Sequence, residues 1–180
     1  MASQIALYYS GAKELDAIQR DSFKSLGGFI SGSPIPKDTL EAIFDEVSEL
    51  AKQQGKEEIR AVFIKNVGTL DITDLKFYFT IPVGNLATYK VAFILPNSSG
   101  QIEEVENSSS FPVFSTFVDA NGIGQQQTIV GAPNDLKIGE SVGMWIKRII
   151  AKQSVVACSV VSASPDTIET LDLQFDWTDV

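Results

Sequence analysis

Leu75-Lys-Phe-Tyr-Phe-Thr-Ile81 alternates apolar and more polar side chains at a period of two, and Pro82 stops the run. Successive side chains of a strand leave on opposite faces, so the pattern reads as a half-buried β-strand with Leu75, Phe77, Phe79 and Ile81 turned inward. The period recurs on either side. Tyr89, Val91, Phe93 and Leu95 alternate with Lys90, Ala92 and Ile94 before Pro96-Asn-Ser-Ser-Gly100 turns the chain. Leu171, Leu173, Phe175 and Trp177 alternate with Asp172, Gln174 and Asp176. Residues 59–66 predict a strand ending in the turn Val67-Gly68-Thr69, and further strands are predicted over 111–118, 127–130, 142–150 and 155–161. Seven or eight strands, each with one apolar face and parted by Gly, Pro, Asn and Ser turns, predict a mainly β chain folded as an antiparallel β-sandwich. There is no second set of helices, which argues against a doubly wound parallel sheet.

One amphipathic helix is expected, over about 37–54. Asp38 and Glu41 stand at capping-box spacing, and Leu40, Ile43, Phe44, Val47, Leu50 and Ala51 recur at three and four to give one apolar stripe. Gly55 suits the position just past its end. Its other face, Glu41, Asp45, Glu46 and Glu49, reads as solvated. The chain thus divides into an N-terminal arm and helix, 1–56, and a β-sandwich domain, 57–180.

Composition removes whole classes of function. With no histidine and one cysteine, Cys158, neither a Ser-His-Asp nor a Cys-His arrangement can form, and a Cys/His zinc site is impossible. Cys158 sits in Val-Val-Ala-Cys-Ser-Val-Val and reads as a small core residue. The 14 Lys and Arg are scattered and outnumbered by 23 Asp and Glu, for a net charge of −9, which argues against nucleic acid as a partner. No segment reaches the apolar length of a membrane span, and the N-terminus lacks a signal peptide's basic region, so a chain made in the cytoplasm is expected. Gly27-Gly28 and Gly122-Ile-Gly124 lack the context of a phosphate loop and read as turns. Asp119-Ala-Asn-Gly122 lacks the closing Glu of a calcium loop. Asp71 and Asp74 lie in a turn, and Asp172, Asp176 and Asp179 line the polar face of a strand rather than a sugar cleft. These residues predict no enzyme, no cofactor and no metal site.

Gly143-Met-Trp-Ile-Lys-Arg-Ile-Ile150 places Trp145 and Arg148 on opposite faces of a regular strand. Arg148 among apolar neighbours predicts a paired, partly buried guanidinium, with Asp176 or Glu140 as its carboxylate. Trp145 and Trp177 read as core residues, with Leu173, Phe175, Phe77, Phe79 and Phe93. Ile5, Leu7, Tyr8 and Tyr9 form a short β-prone run that either adds a strand to the chain's own sheet or packs on a neighbouring subunit.

Two stretches carry a resemblance. Gln19-Arg-Asp-Ser-Phe-Lys-Ser-Leu-Gly-Gly-Phe-Ile-Ser-Gly-Ser-Pro-Ile-Pro36 with Leu40-x-x-Ile-Phe-Asp-Glu-Val-Ser48 resembles the opening of structural proteins of tailed bacteriophages. So does Ile59-Arg-Ala-Val-Phe-Ile-Lys-Asn-Val-Gly-Thr-Leu-Asp-Ile-Thr-Asp-Leu-Lys-Phe-Tyr-Phe79, whose Asn-x-Gly-Thr is also similar to bacterial immunoglobulin-like adhesion domains. Gly143-Met-Trp-Ile-Lys-Arg148 and the closing Leu171 to Trp177 continue the likeness. The resemblance implies an immunoglobulin-like sandwich and a virion component of the head, neck, tail or baseplate, with no catalytic residues. Its partners would be other virion proteins and copies of itself, a homo-oligomer touching neither nucleic acid nor membrane. Ile5, Leu7, Tyr8, Tyr9, Trp145 and Arg148 are the expected interface residues. The alternative is a carbohydrate- or surface-binding module using Tyr78, Tyr89 and Trp145 on one sheet face.

Overall fold

The computed structural model describes residues 5–36, 43–45, 47–80, 87–113, 116–119, 127–128, 135–153 and 172–179. In chain order the elements are β1 (Ile5–Tyr9), β2 (Gly28–Phe29), α1 (Glu49–Gln54), β3 (Lys56–Asn66), β4 (Ile72–Thr80) and β5 (Ala87–Ile94). Then come β6 (Gln101–Ile102), β7 (Val118–Asp119), β8 (Gln127–Thr128), β9 (Ser141–Ile150) and β10 (Asp172–Asp179). A five-stranded sheet runs β1-β3-β9-β5-β7, a three-stranded one β10-β4-β8, and β2 pairs with β6. Every one of these pairings is antiparallel. The chain is mainly β, as the period of two predicts.

The register sorts side chains by parity. On one face of the large sheet, Val62 and Ile64 of β3, Val142, Met144 and Ile146 of β9, and Tyr89 and Val91 of β5 meet Ile72, Leu75, Phe77 and Phe79 of β4 in a single core. Phe77 makes edge-on contacts with Phe79 and Phe93 and a tilted one with Phe175. Ile72 and Leu75 have opposite parity yet both point inward. Asp74, at φ 52, forms a bulge at which the pairing steps from Lys76↔Asp176 to Thr73↔Thr178, and the extra residue turns the strand by one face.

The expectation of one apolar face per strand fails for the central strands. Ile59, Ala61 and Phe63, with Trp145 and Ala92, fill a second core on the opposite face, closed by Ile30 and Ile102. The near-continuous run Ile-Arg-Ala-Val-Phe-Ile of β3 is what a strand buried on both faces requires. Its cover is two irregular segments, around 10–33 and 95–113, stitched by the β2–β6 pair.

The 10–33 segment has no hydrophobic period because polar groups hold it. Ser10 Oγ donates to the Ala61 carbonyl at 2.8 Å and accepts from the Gly27 N–H. Ser31 Oγ accepts from the Gln19 N–H and donates to the Gln19 carbonyl, while the Gln19 side chain reaches the Ser10 carbonyl and Ser25 Oγ. Ser10, Ser25 and Ser31 are buried, so these bonds are made away from water. Gly27 is required by both conformation and space: its φ is +97, and a Cβ there would lie 1.9 Å from the Glu103 carbonyl oxygen.

The helix expected over 37–54 is corrected to α1. Ser48 is extended (ψ 153), and its Oγ accepts from the Ala51 N–H, so the helix starts at Glu49. It stops at Gly55, φ 76, whose N–H reaches the Ala51 carbonyl. Residues 43–45, 47 and 48 are not helical, while Ile43, Phe44 and Val47 are buried against the sheet. Leu50, placed on the apolar stripe, is 59 % exposed. Arg148 draws the Asp45 carbonyl into a hydrogen bond, which takes an acceptor the helix would have used. Asp38, Leu40, Glu41 and Glu46 lie outside the described residues.

Two other expectations change. Of the predicted 111–118 strand, residues 111–113, 116 and 117 are irregular and Val118 joins the sheet in β7 (Val118–Asp119), while 114 and 115 lie outside the described residues. Leu95, aligned with the inward residues of β5, lies beyond its end and is exposed. The predicted strand 155–161 with Cys158, the Gly122-Ile-Gly124 turn, and the side chains of Leu173 and Trp177 lie outside the described residues. No helix among the described residues is long and apolar enough to cross a membrane.

Candidate functional site

The β3–β9 register sets Glu58 opposite Arg148 on the face of the larger core. Glu58 Oε1 accepts from Arg148 Nε at 2.8 Å and also from Arg148 Nη2. Glu58 Oε2 pairs with Lys56 Nζ at 2.8 Å. Arg148 Nη1 donates to the Asp45 carbonyl at 2.7 Å, and its guanidinium lies 4.8 Å from the centre of the Phe44 ring. Burial pushes the Glu58 carboxyl up, but Lys56 and Arg148 together outweigh it and hold the group below the usual carboxylate range. This cluster clamps Phe44 and Asp45 onto the sheet. Both oxygens of Glu58 are engaged, so it is not poised as a general base.

Arg60 stands two residues along β3 on the same face. Its Nη1 donates to the Ile59 carbonyl at 2.8 Å, and its Nε is buried with no hydrogen-bond partner. The Phe23 and Phe44 rings lie 5.4 and 5.6 Å from the guanidinium carbon. Burial pulls its pKa below the ordinary arginine value, partly offset by Glu58, Asp45 and Asp21.

The expected interface residues are split between interior and edge. Arg148 is buried and paired with Glu58; Glu140 instead accepts from the Lys137 N–H in a turn, and the Asp176 side chain lies outside the described residues. Trp145 is fully buried in the second core, its Nε1 without a partner. Ile5, Leu7 and Tyr9 pack on the larger core, and Tyr8 faces the other side beneath Lys65. β1 pairs with β3 from Ile5↔Asn66 to Tyr9↔Val62, and Ser31 and Ile35 donate to the Tyr9 and Leu7 carbonyls along its other edge. The N-terminal run is therefore a strand of the chain's own sheet.

The other nominated clusters are spent on structure. Asp71 accepts from the Ile138 N–H and Asp74 pairs with Lys76. Among the described residues, no group of three His, Cys, Asp or Glu is placed to hold a metal ion. Sequence reasoning missed Glu58 and Arg60. Their one signal was charge at i and i+2 inside the apolar strand Lys56-Glu-Glu-Ile-Arg-Ala-Val-Phe-Ile64.

The outer surface carries a second feature. Of nine large hydrophobic residues exposed among the described residues, five lie on the segments covering the Trp145 face or at their borders: Leu15, Ile18, Leu95, Phe111 and Val113; Phe23 lies instead over Arg60. Leu15 reaches across to Gly100, which brings the two segments side by side. No protein-family model matches the chain, and no curated protein or solved structure does so.

Proposed function

We propose that this chain is a structural component of a bacteriophage virion, a head auxiliary or a neck, tail or baseplate protein, acting through protein-protein assembly on an immunoglobulin-like β-sandwich. Two antiparallel sheets sharing one core, with the consecutive strands β3 and β4 in different sheets, support the sandwich. The observation that carries the assembly reading is the apolar layer over the Trp145 face. Large side chains held outward on two anchored segments are what a surface awaiting a protein neighbour presents. The resemblance of 19–36 and 59–79 to phage structural proteins gives that neighbour its class. The glycan-binding alternative loses support, because Tyr89 and Trp145, two of its three nominated aromatics, are buried.

Quantitative mass spectrometry and antibody labelling of purified particles test the reading. The chain is expected at a fixed, multiple copy number per particle. Replacement of Ile18 and Val113 by Ser is expected to lower that occupancy while leaving the isolated fold intact. Absence from purified particles would overturn the proposal.

A further inference from the structure

The buried charges on the larger-core face do not balance. Two buried guanidinium groups, Arg60 and Arg148, stand beside one buried carboxylate, Glu58, whose two oxygens serve Arg148 and the exposed Lys56. Arg60 is left over: it is 2 % exposed and makes no ion pair with any described residue. Asp21 and Asp45 are near enough to be felt, but Asp21 caps the Phe23 N–H and pairs with Lys24 at 3.6 Å. Desolvated cations in folded proteins are paired, so a buried guanidinium with an idle Nε calls for a partner from elsewhere.

Its surroundings give that partner a route and a shape. Arg60 lies just past the end of β1, at the edge of the sheet, where Ser25 replaces β1 as the neighbour of Ala61. Of the two rings on the guanidinium, Phe44 belongs to the core and Phe23 is 58 % exposed, on the short 3-10 turn Ser22–Lys24. Phe23 is therefore the outer cover. With Nη1 committed to the Ile59 carbonyl, the edge that includes Nε is the one a carboxylate engages side-on.

We infer that Arg60 is a receiving position for an external carboxylate, with Phe23 as a displaceable roof over it. The carboxylate is either the Asp, Glu or C-terminal group of another polypeptide or a small free carboxylate. The inference is independent of the assembly reading, since it concerns the isolated chain.

The test follows the Arg60 Nε–H resonance by NMR during titration with sodium acetate, against sodium chloride at equal ionic strength. The resonance is assigned by its loss in Arg60→Lys or, if that variant does not fold, by its contacts to the Phe23 ring. Acetate is expected to move it saturably where chloride does not, and Phe23→Ala is expected to tighten acetate binding several-fold. A blocked peptide with one glutamate that binds more tightly than acetate assigns the site to a polypeptide; equal binding assigns it to a small carboxylate. A resonance that acetate leaves unmoved in both wild type and folded Phe23→Ala, or that chloride moves equally, overturns the inference.

Discussion

Replacing Glu58 by Gln keeps the shape of the side chain and removes its charge, leaving Arg148, Arg60 and Lys56 facing one another without their shared anion. Glu58 and Arg148 are almost wholly buried, and the Arg148 fork is spent on Glu58 and the Asp45 carbonyl. Breaking a buried pair by removing one partner costs about 3–5 kcal/mol, because the remaining charge is stranded in a desolvated site. At a urea dependence of about 2 kcal/mol per molar, the unfolding midpoint at pH 7 should fall by about 1.5–2.5 M. The folded Glu58 carboxyl titrates below its unfolded value. Its contribution is therefore present above the unfolded carboxylate range, about pH 4.3, and lost as pH falls through the lower folded value. The gap between wild type and Glu58→Gln should accordingly narrow through that acid window. Adding Arg148→Met should recover part of the loss at pH 7, since the stranded cation goes with it. Urea unfolding at pH 7 and at stepped acid pH measures each quantity. A loss below about 1 kcal/mol at pH 7, or a gap that persists in acid while both proteins are still folded, would refute the reasoning.

Gly27→Ala places a Cβ at φ +97 within 1.9 Å of a carbonyl oxygen, and should cost more than about 2 kcal/mol. Gly28→Ala, at φ +78 with nothing nearer than 3.6 Å, should cost about 1 kcal/mol; equal losses in thermal unfolding would show that the clash is relieved. Deletion of residues 1–11 removes β1 and the packing of Ile5, Leu7 and Tyr9, and should abolish cooperative unfolding of the isolated chain, measured by near-UV circular dichroism. A folded deletion variant would mean that β1 is dispensable to the sheet.

The alternation in 75–81 and 89–95, and the apolar run in 142–150, determined by themselves that the chain is antiparallel β and where its long strands lie. A two-residue period sends every second side chain to the same face, whatever the partner strand. The same local information could not say what lies over that face. Trp145 and Ile59 are buried because 10–33 and 95–113 fold over them, and 10–33 is held by Ser10, Gln19, Ser25 and Ser31, whose hydrogen bonds leave no hydrophobic period to read. The helical spacing of Ile43, Phe44, Val47 and Ala51 correctly marked residues bound for the core but not the backbone that carries them there. Arg148, 103 residues later in the chain, takes the Asp45 carbonyl, and Ser48 begins the helix late. The candidate site followed the same division. Sequence showed that Arg148 needed a carboxylate. Only the pairing of β3 with β9 selected Glu58 over Glu140, because which charges meet in a sheet is set by register between strands distant in the chain.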